Sequence, residues 1–395
     1  MQDRMTFPSL SGPSHGQFVD RAILHPTGCA GKTNLVRRNC DDSRQLRRAA
    51  RRRKGKLLTT ELLQQATPEM AITPKPVTAE EALLCNMELP LRGVFYPLGF
   101  AVEIITNEQA VLDAANDSWG SLRPRQINSM LQFRVSVSAG GGSECPPTPV
   151  TRANRYLFSI VADADNQAIL DLKAGFASIW LNQATVCHGL YLRYYFLEGA
   201  AYTLLSTSAA TALHAACVSR HGRGILLCGD SGAGKSSLSY ACARAGWTYT
   251  SDDASYLLHN TDHPRVVGNS HQIRFRPTAK MLFPELEGHA LTPRAEGKPS
   301  IEVPTSEFPG LITASEVRID FIVYLNRGAS AVGELIRLPD GVAIERIREG
   351  FYPIDEIRAI HDKAVQMLSG VPVYELRYRD FDQAIGQLDR LARNL

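Results

Sequence analysis

The first 75 or so residues of this chain show no sustained apolar period, whereas the rest is densely patterned. Ordered patterning begins near Leu89. The run Val94–Ile104 predicts a strand with an edge or bend at Pro97, because proline gives no backbone donor to a ladder. Thr106 or Asn107 is placed to cap a helix carrying Val111, Leu112, Ala115 and Trp119, which Gly120 closes. Gln132–Val137 alternates as a strand does, Gly140–Gly142 with Pro146 and Pro147 marks a loop, and Tyr156–Val161 predicts another strand before a turn at Asp163–Asn166. Residues 88–185 are therefore expected to form a small α+β domain.

A second pattern starts near residue 190. Tyr191–Leu205 is apolar and aromatic enough for a buried helix, and Gly224–Cys228 is a short apolar run of the kind a strand buried on both faces shows. Ser237–Ala245 predicts a helix with Gly246 as its stop, and the β-prone Trp247–Thr250 follows. Asp320–Arg327 and Leu368–Leu376 predict further strands. Asp380–Leu395, with Phe381, Ala384, Ile385, Leu388 and Leu391 at helical spacing, predicts a closing amphipathic helix. A 190–395 α/β domain follows from this alternation.

Charge changes the picture only at the N-terminus. Residues 1–56 hold 13 Lys/Arg against 4 Asp/Glu, and the remaining residues hold 30 against 36. The net charge of +3 thus belongs to a basic extension, densest from Arg37 to Lys56. Such runs repel themselves and stay solvated, and no aromatic residues interleave the charges as single-stranded nucleic-acid binders require. Residues 1–75 are expected to be disordered, and nucleic acid is disfavoured as a partner. No apolar run approaches the 18–20 residues of a membrane span, and no secretory leader pattern opens the chain. The eight cysteines form no C-x-x-C pair, which suits a reducing compartment. A cytoplasmic protein without a membrane partner is expected.

The strongest chemical signal is Gly229-Asp230-Ser231-Gly232-Ala233-Gly234-Lys235-Ser236, followed by Ser237, which fits the Walker A or P-loop pattern G-x-x-x-x-G-K-[ST] without substitution. Its glycines let successive backbone N–H groups curl around phosphate oxygens, Lys235 supplies a point charge for the β- and γ-phosphates, and the Ser236 hydroxyl can ligate Mg²⁺. Strand, loop, helix and stop occur in the order this chemistry needs, which predicts ATP and Mg²⁺ as cofactors. Asp252 and Asp253 then follow a predicted strand. Parallel strands deliver their C-terminal ends to one edge, so these carboxylates are expected beside the loop, one for a metal and one for a proton.

The stretch Gly224–Ser236, then Ala245-Gly246 and Asp252-Asp253, resembles the catalytic core of bacterial HPr kinase/phosphorylase. The resemblance spans residues 214–253, and that family's glycine-rich signature after the aspartate pair is absent, with Ile301-Glu302-Val303-Pro304 at most a remnant. It implies an α/β fold with a P-loop kinase core of the phosphoenolpyruvate carboxykinase type. It implies further that His214, 15 positions before Gly229, joins the site, and that the protein forms homo-oligomers.

The expectation is an ATP- and Mg²⁺-dependent kinase that phosphorylates a hydroxyl, either a protein serine or a small molecule. In it Asp252 takes the proton, Asp253 and Ser236 organise the metal, and His214 and Lys235 support the transfer. Arg274 and Arg276 alternate with apolar residues and could clamp substrate from one strand face; Lys298 on a Gly/Pro-flanked loop could reach the γ-phosphate or the acceptor, and Glu302 is a candidate carboxylate for the metal or its surroundings. The alternative is a nucleotide-binding sensor or assembly factor with little turnover.

Overall fold

The computed structural model describes residues 88–125, 130–141, 144–292, 299–328, 332–351 and 355–393. The basic extension and Lys298 lie outside the described residues. Two large sheets carry the α/β architecture. The first has seven strands, β1 (Leu91–Phe95), β2 (Ala101–Thr106), β3 (Met130–Ser138), β4 (Val150–Asn154), β5 (Leu157–Val161), β6 (Gln167–Asp171) and β7 (Phe176–Asn182). Their order is β1-β2-β3-β7-β6-β5-β4, with β2, β3 and β7 parallel to one another and the other neighbours antiparallel.

The continuous strand expected over Val94–Ile104 is broken. Pro97–Gly99 forms a 3-10 turn in which Leu98 and Gly99 have φ of 52° and 86°, so β1 and β2 fold back as an antiparallel pair. Helix α1 (Gln109–Trp119) begins later than expected, with Glu108 as the cap whose carboxylate accepts from the Ala110 N–H. Asn107 has other work. Its amide donates to the Val137 carbonyl and accepts from the Val137 N–H, both at 2.8 Å, which ties the helix start to β3. The apolar stretch after Gly189 is helical but not uniformly α. Leu192–Glu198 is a π-helical segment running into α2 (Gly199–Ser208). Both helices pack on the first sheet, burying Trp119, Tyr195, Phe196 and Leu204 against Phe133 and Ile179.

The second sheet is built from β8 (Ala210–Leu213), β9 (Ala215–Arg220), β10 (Arg223–Cys228), β11 (Thr248–Ser251), β12 (Ser255–Leu258), β13 (Arg265–Gly268), β16 (Ile312–Thr313), β17 (Glu316–Arg327), β18 (Glu334–Arg337) and β19 (Val373–Tyr378). Strands β14 (Gln272–Phe275) and β15 (Ile301–Pro304) form a separate two-stranded ribbon. The second sheet is ordered β16-β11-β9-β10-β17-β13-β12-β8, with β19 joined to β17 and β18. Strand β10 is apolar on successive positions because both its faces are covered. Ile225 and Leu227 meet α3 (Lys235–Arg244) and the C-terminal helix α6 (Phe381–Arg393) through Leu238, Cys242 and Leu388. Leu226 and Cys228 meet the opposite layer, which includes Ala343 and Ile344 of α4 (Val342–Arg348) and Val365 of α5 (Asp355–Val365). No described helix is long and apolar enough to cross a membrane.

Gly224 shows how tightly β10 and β17 approach. A Cβ there would stand 2.0 Å from the Arg318 carbonyl oxygen and 2.4 Å from Val317 Cγ1, and the Gly224 N–H donates to Asp320 at 3.0 Å. Only glycine fits without moving backbone. Gly224→Ala is therefore expected to lower stability by about 1–3 kcal/mol, read by thermal or urea unfolding. Gly288→Ala, where a Cβ meets nothing within 4 Å, should stay within about 0.5 kcal/mol of wild type.

Candidate active site

Three strand ends meet at one edge of the second sheet. Strand β9 lies between β10 and β11 and is antiparallel to both, so β10 and β11 end where β9 begins. That edge carries Gly229 after β10, Asp252 and Asp253 after β11, and His214 before β9. The convergence expected from neighbouring parallel strands is thus produced by an intervening antiparallel one. Cys228 faces Ala215 across the ladder, and Ser251 faces Cys217, which fixes how far each end projects. Ser255 holds the turn after β11 in place: its hydroxyl donates to the Ala215 carbonyl at 2.9 Å and meets Ser251 Oγ at 2.6 Å.

The loop between β10 and α3 needs its glycines. Gly229, Gly232 and Gly234 have φ of 146°, 96° and 98°, and a Cβ on Gly229 would press to 2.9 Å from that of Ala233. The loop leads directly into the N-terminus of α3, where unpaired N–H groups and the helix dipole favour an anion. Tyr378 at the end of β19 supports the loop from below by donating to the Ala233 carbonyl at 3.4 Å.

Lys235 is the most constrained group at this edge. Only 5% exposed, its ammonium donates to the Gly229 carbonyl at 2.8 Å and the Asp230 carbonyl at 3.3 Å, and its Nζ stands 2.8 Å from His214 Nε2. Burial pulls its pKa down, and the charge of Asp253 opposes that fall. His214 Nδ1 in turn faces Asp253 Oδ1 at 3.4 Å. The order is therefore lysine, histidine, carboxylate, with Asp253 half exposed at the open end.

Asp252 sits in a different environment. Its Oδ2 accepts from the Arg274 backbone N–H at 2.8 Å, while its own carbonyl accepts from the Ser236 hydroxyl at 3.3 Å. Burial, aided by the neighbouring Asp253 charge, pushes its carboxyl up to about 6. The Ser236 hydrogen is directed to that carbonyl, which leaves the oxygen lone pairs for a cation. Hard cations such as Mg²⁺ take one or two carboxylates together with phosphate and water oxygens. Ser236 Oγ is an oxygen donor of that type, and the carbonyl it meets belongs to Asp252. Among the described residues no three His, Cys, Asp or Glu side chains group so as to hold a metal by themselves.

The two arginines do not form a shared clamp. Strand β14 ends at Phe275, so Arg276 leaves the strand and donates to Ser231 Oγ at 2.8 Å, reaching the glycine loop. Arg274 instead pairs through Nε with Glu302 Oε1 at 3.2 Å. Glu302 is held in turn by the Gln272 amide at 3.1 Å and the Ser300 hydroxyl at 2.9 Å. It orients the ribbon that carries Arg274 against Asp252. Tyr378 and Ser255 give no sequence signal, since each acts through partners distant in the chain; the alternation around Arg274 predicts β14 but not its pairing with β15.

No protein-family model matches the chain, and no curated protein matches it in sequence. Among solved structures, the HPr(Ser) kinase/phosphatase from Coxiella burnetii aligns with 47% of this chain and 99% of its own, at 12% identity and a TM-score of 0.28. That is a distant structural relationship only.

The raised carboxyl of Asp252 has a consequence for stability. Its folded pKa of about 6 exceeds the ordinary value near 4, so the folded state holds a proton that the unfolded chain gives up first. The folded state consequently loses stability relative to the unfolded as pH rises from about 4 to about 6, and the deficit persists above that. Asp252→Asn removes the deficit. Its gain over wild type should be small at pH 4 and on the order of 2–3 kcal/mol at pH 7.5 without nucleotide or divalent cation, measured by urea unfolding at both pH values.

Proposed function

We propose that the protein is a Mg²⁺-dependent phosphotransferase that moves the γ-phosphoryl of ATP to a hydroxyl. The observation that carries this is the Lys235 ammonium, buried between two loop carbonyls and a histidine beside a glycine loop that opens onto a helix N-terminus. A buried cation held mainly by neutral groups is suited to exchange them for phosphate oxygens. Ser236 and Asp252 would hold Mg²⁺, which supplies charge neutralisation at the β- and γ-phosphates when bound. Arg276 at Ser231 adds a guanidinium on the same side.

The proton of the acceptor hydroxyl goes to His214 in this reading. While Lys235 is bonded to Nε2 that lone pair is occupied; once the ammonium turns to phosphate, Nε2 is free and Asp253 at Nδ1 stabilises the imidazolium. This reverses the division expected from sequence, which gave the proton to Asp252 and the metal to Asp253. Asp253 is the carboxylate beside His214, and Asp252 is the residue whose carboxylate accepts from the Arg274 N–H and whose carbonyl accepts from Ser236.

The test uses γ-labelled ATP with MgCl₂ and follows phosphate reaching water, serine peptides or small alcohols, alongside binding of a fluorescent mant-ATP. Lys235→Ala should weaken mant-ATP binding and cut transfer by about 10²–10³. His214→Ala and Asp253→Asn should cut kcat by about 10²–10⁴ while leaving mant-ATP affinity within a few-fold. Tight mant-ATP binding with no transfer to any acceptor would favour a nucleotide sensor instead. Binding unaffected by Lys235→Ala would remove the phosphate site from this loop.

A further inference from the structure

A cavity of about 590 Å³ lies against the other side of the His214 turn. It is lined by both sheets: Ala153 and Phe158 from the first, Thr203 and Thr207 of α2 beneath it, and His214, Gly229 and Asp230 of the candidate site. Phe351, Ile357 and His361 close it from the C-terminal layer. His214 and the two residues whose carbonyls hold Lys235 are thus shared between the cavity and the phosphate loop.

The chemistry of its wall is specific. Aliphatic and aromatic residues dominate, among them Phe158, Leu172, Leu213, Leu325 and Phe351. The buried polar groups set among them are neutral, whereas the lining Asp230, Arg346 and Glu349 are exposed and Glu375 pairs with Arg377. Thr211 Oγ1 stands 2.9 Å from both His259 Nε2 and His361 Nδ1, and Thr211 and His361 line the cavity. Burial drops both imidazoles to about 4, so each is uncharged and offers one donor and one acceptor. A hydroxyl has one hydrogen, so Thr211 donates to one ring and accepts from the other. The lining arginine, Arg346, is exposed and lies over the Tyr324 ring at 4.5 Å. A carboxylate or phosphate body therefore finds no buried cation in this cavity beyond the site itself.

We infer that this cavity holds the phosphoryl acceptor, and that the acceptor is a small, largely apolar molecule that bears a hydroxyl and no negative charge. The inference rests on the kinase reading above and narrows its acceptor. A volume of this size encloses a whole small ligand, whereas a serine side chain from a docked protein would leave most of it empty. With its body against Phe158, Leu213 and Phe351 and a polar group at His361, such a molecule can turn its hydroxyl to His214. The acceptor oxygen then bonds to the γ-phosphorus and the bond from that phosphorus to the β–γ bridging oxygen breaks. ADP leaves with the electron pair, and the hydroxyl proton passes to His214 Nε2.

The probe is 2-phenylethanol, which has the required body and a primary hydroxyl. Saturation-transfer NMR with the full chain and MgATP analogue reports its binding, and γ-labelled ATP reports its phosphorylation. Ala153→Trp fills the cavity from β4, and Ala153→Leu is a smaller change in case the first does not fold. The expected result is binding and phosphorylation of 2-phenylethanol by wild type, both reduced at least about tenfold by Ala153→Trp and less by Ala153→Leu, with mant-ATP affinity within about threefold. Phosphorylation insensitive to both substitutions, or mant-ATP binding without any binding of 2-phenylethanol, overturns the cavity as acceptor site. So does transfer to serine peptides that persists unchanged in both variants while 2-phenylethanol is ignored. A wild type that binds no mant-ATP overturns the kinase reading first, and the acceptor role with it.

Discussion

The interaction on which the rest depends is the one made by a single buried ammonium. Taking the Lys235 charge out of water is expensive, and its carbonyl and imidazole partners offset part of that cost without a direct ion pair. The arrangement requires Gly229 to turn back under the lysine, β9 to start beside the end of β10, and His214 to stand at that start. Much of the second sheet can be understood as meeting those requirements. The two-sided burial of β10 fixes its end rigidly, and the Gly224 contact with β17 leaves it little freedom to slide.

The two aspartates illustrate how adjacent residues acquire different roles from different surroundings. Successive side chains at a strand end point to opposite sides, so Asp252 is drawn under the β14–β15 ribbon and Asp253 toward His214. One carboxyl is raised to about 6 by its burial, and the other stays half exposed next to an imidazole. A cation at Ser236 would restore the charge of Asp252, since bound metal inverts the pKa logic of its neighbours. The metal and proton duties proposed here follow from that separation rather than from residue type.

What was legible in the sequence was what is local. The spacing of Gly229, Gly232 and Gly234 before Lys235 states a backbone path, and the apolar run Gly224–Cys228 states a buried strand. His214 was reachable only through a family spacing, because nothing around Ala212 and Leu213 distinguishes a site histidine from a structural one. Asn107 was misread as a cap because its partner, Val137, lies 30 residues away. Arg274 and Arg276 were grouped by alternation, which cannot see that β14 stops at Phe275. The cavity was invisible for the same reason in stronger form. Its wall is assembled from residues between Thr151 and Glu375, and no window of sequence contains its chemistry.

The most direct measurement follows the imidazole that Lys235 holds. With ¹⁵N-labelled histidine, the Nε2 resonance of His214 can be recorded before and after adding a non-hydrolysable ATP analogue with Mg²⁺. If the ammonium leaves His214 for phosphate, that resonance moves toward the position of a lone pair without a donor, and Lys235→Ala without nucleotide gives a similar shift. A resonance that does not move on saturation with the analogue means the lysine never releases the histidine, which contradicts the proposed exchange.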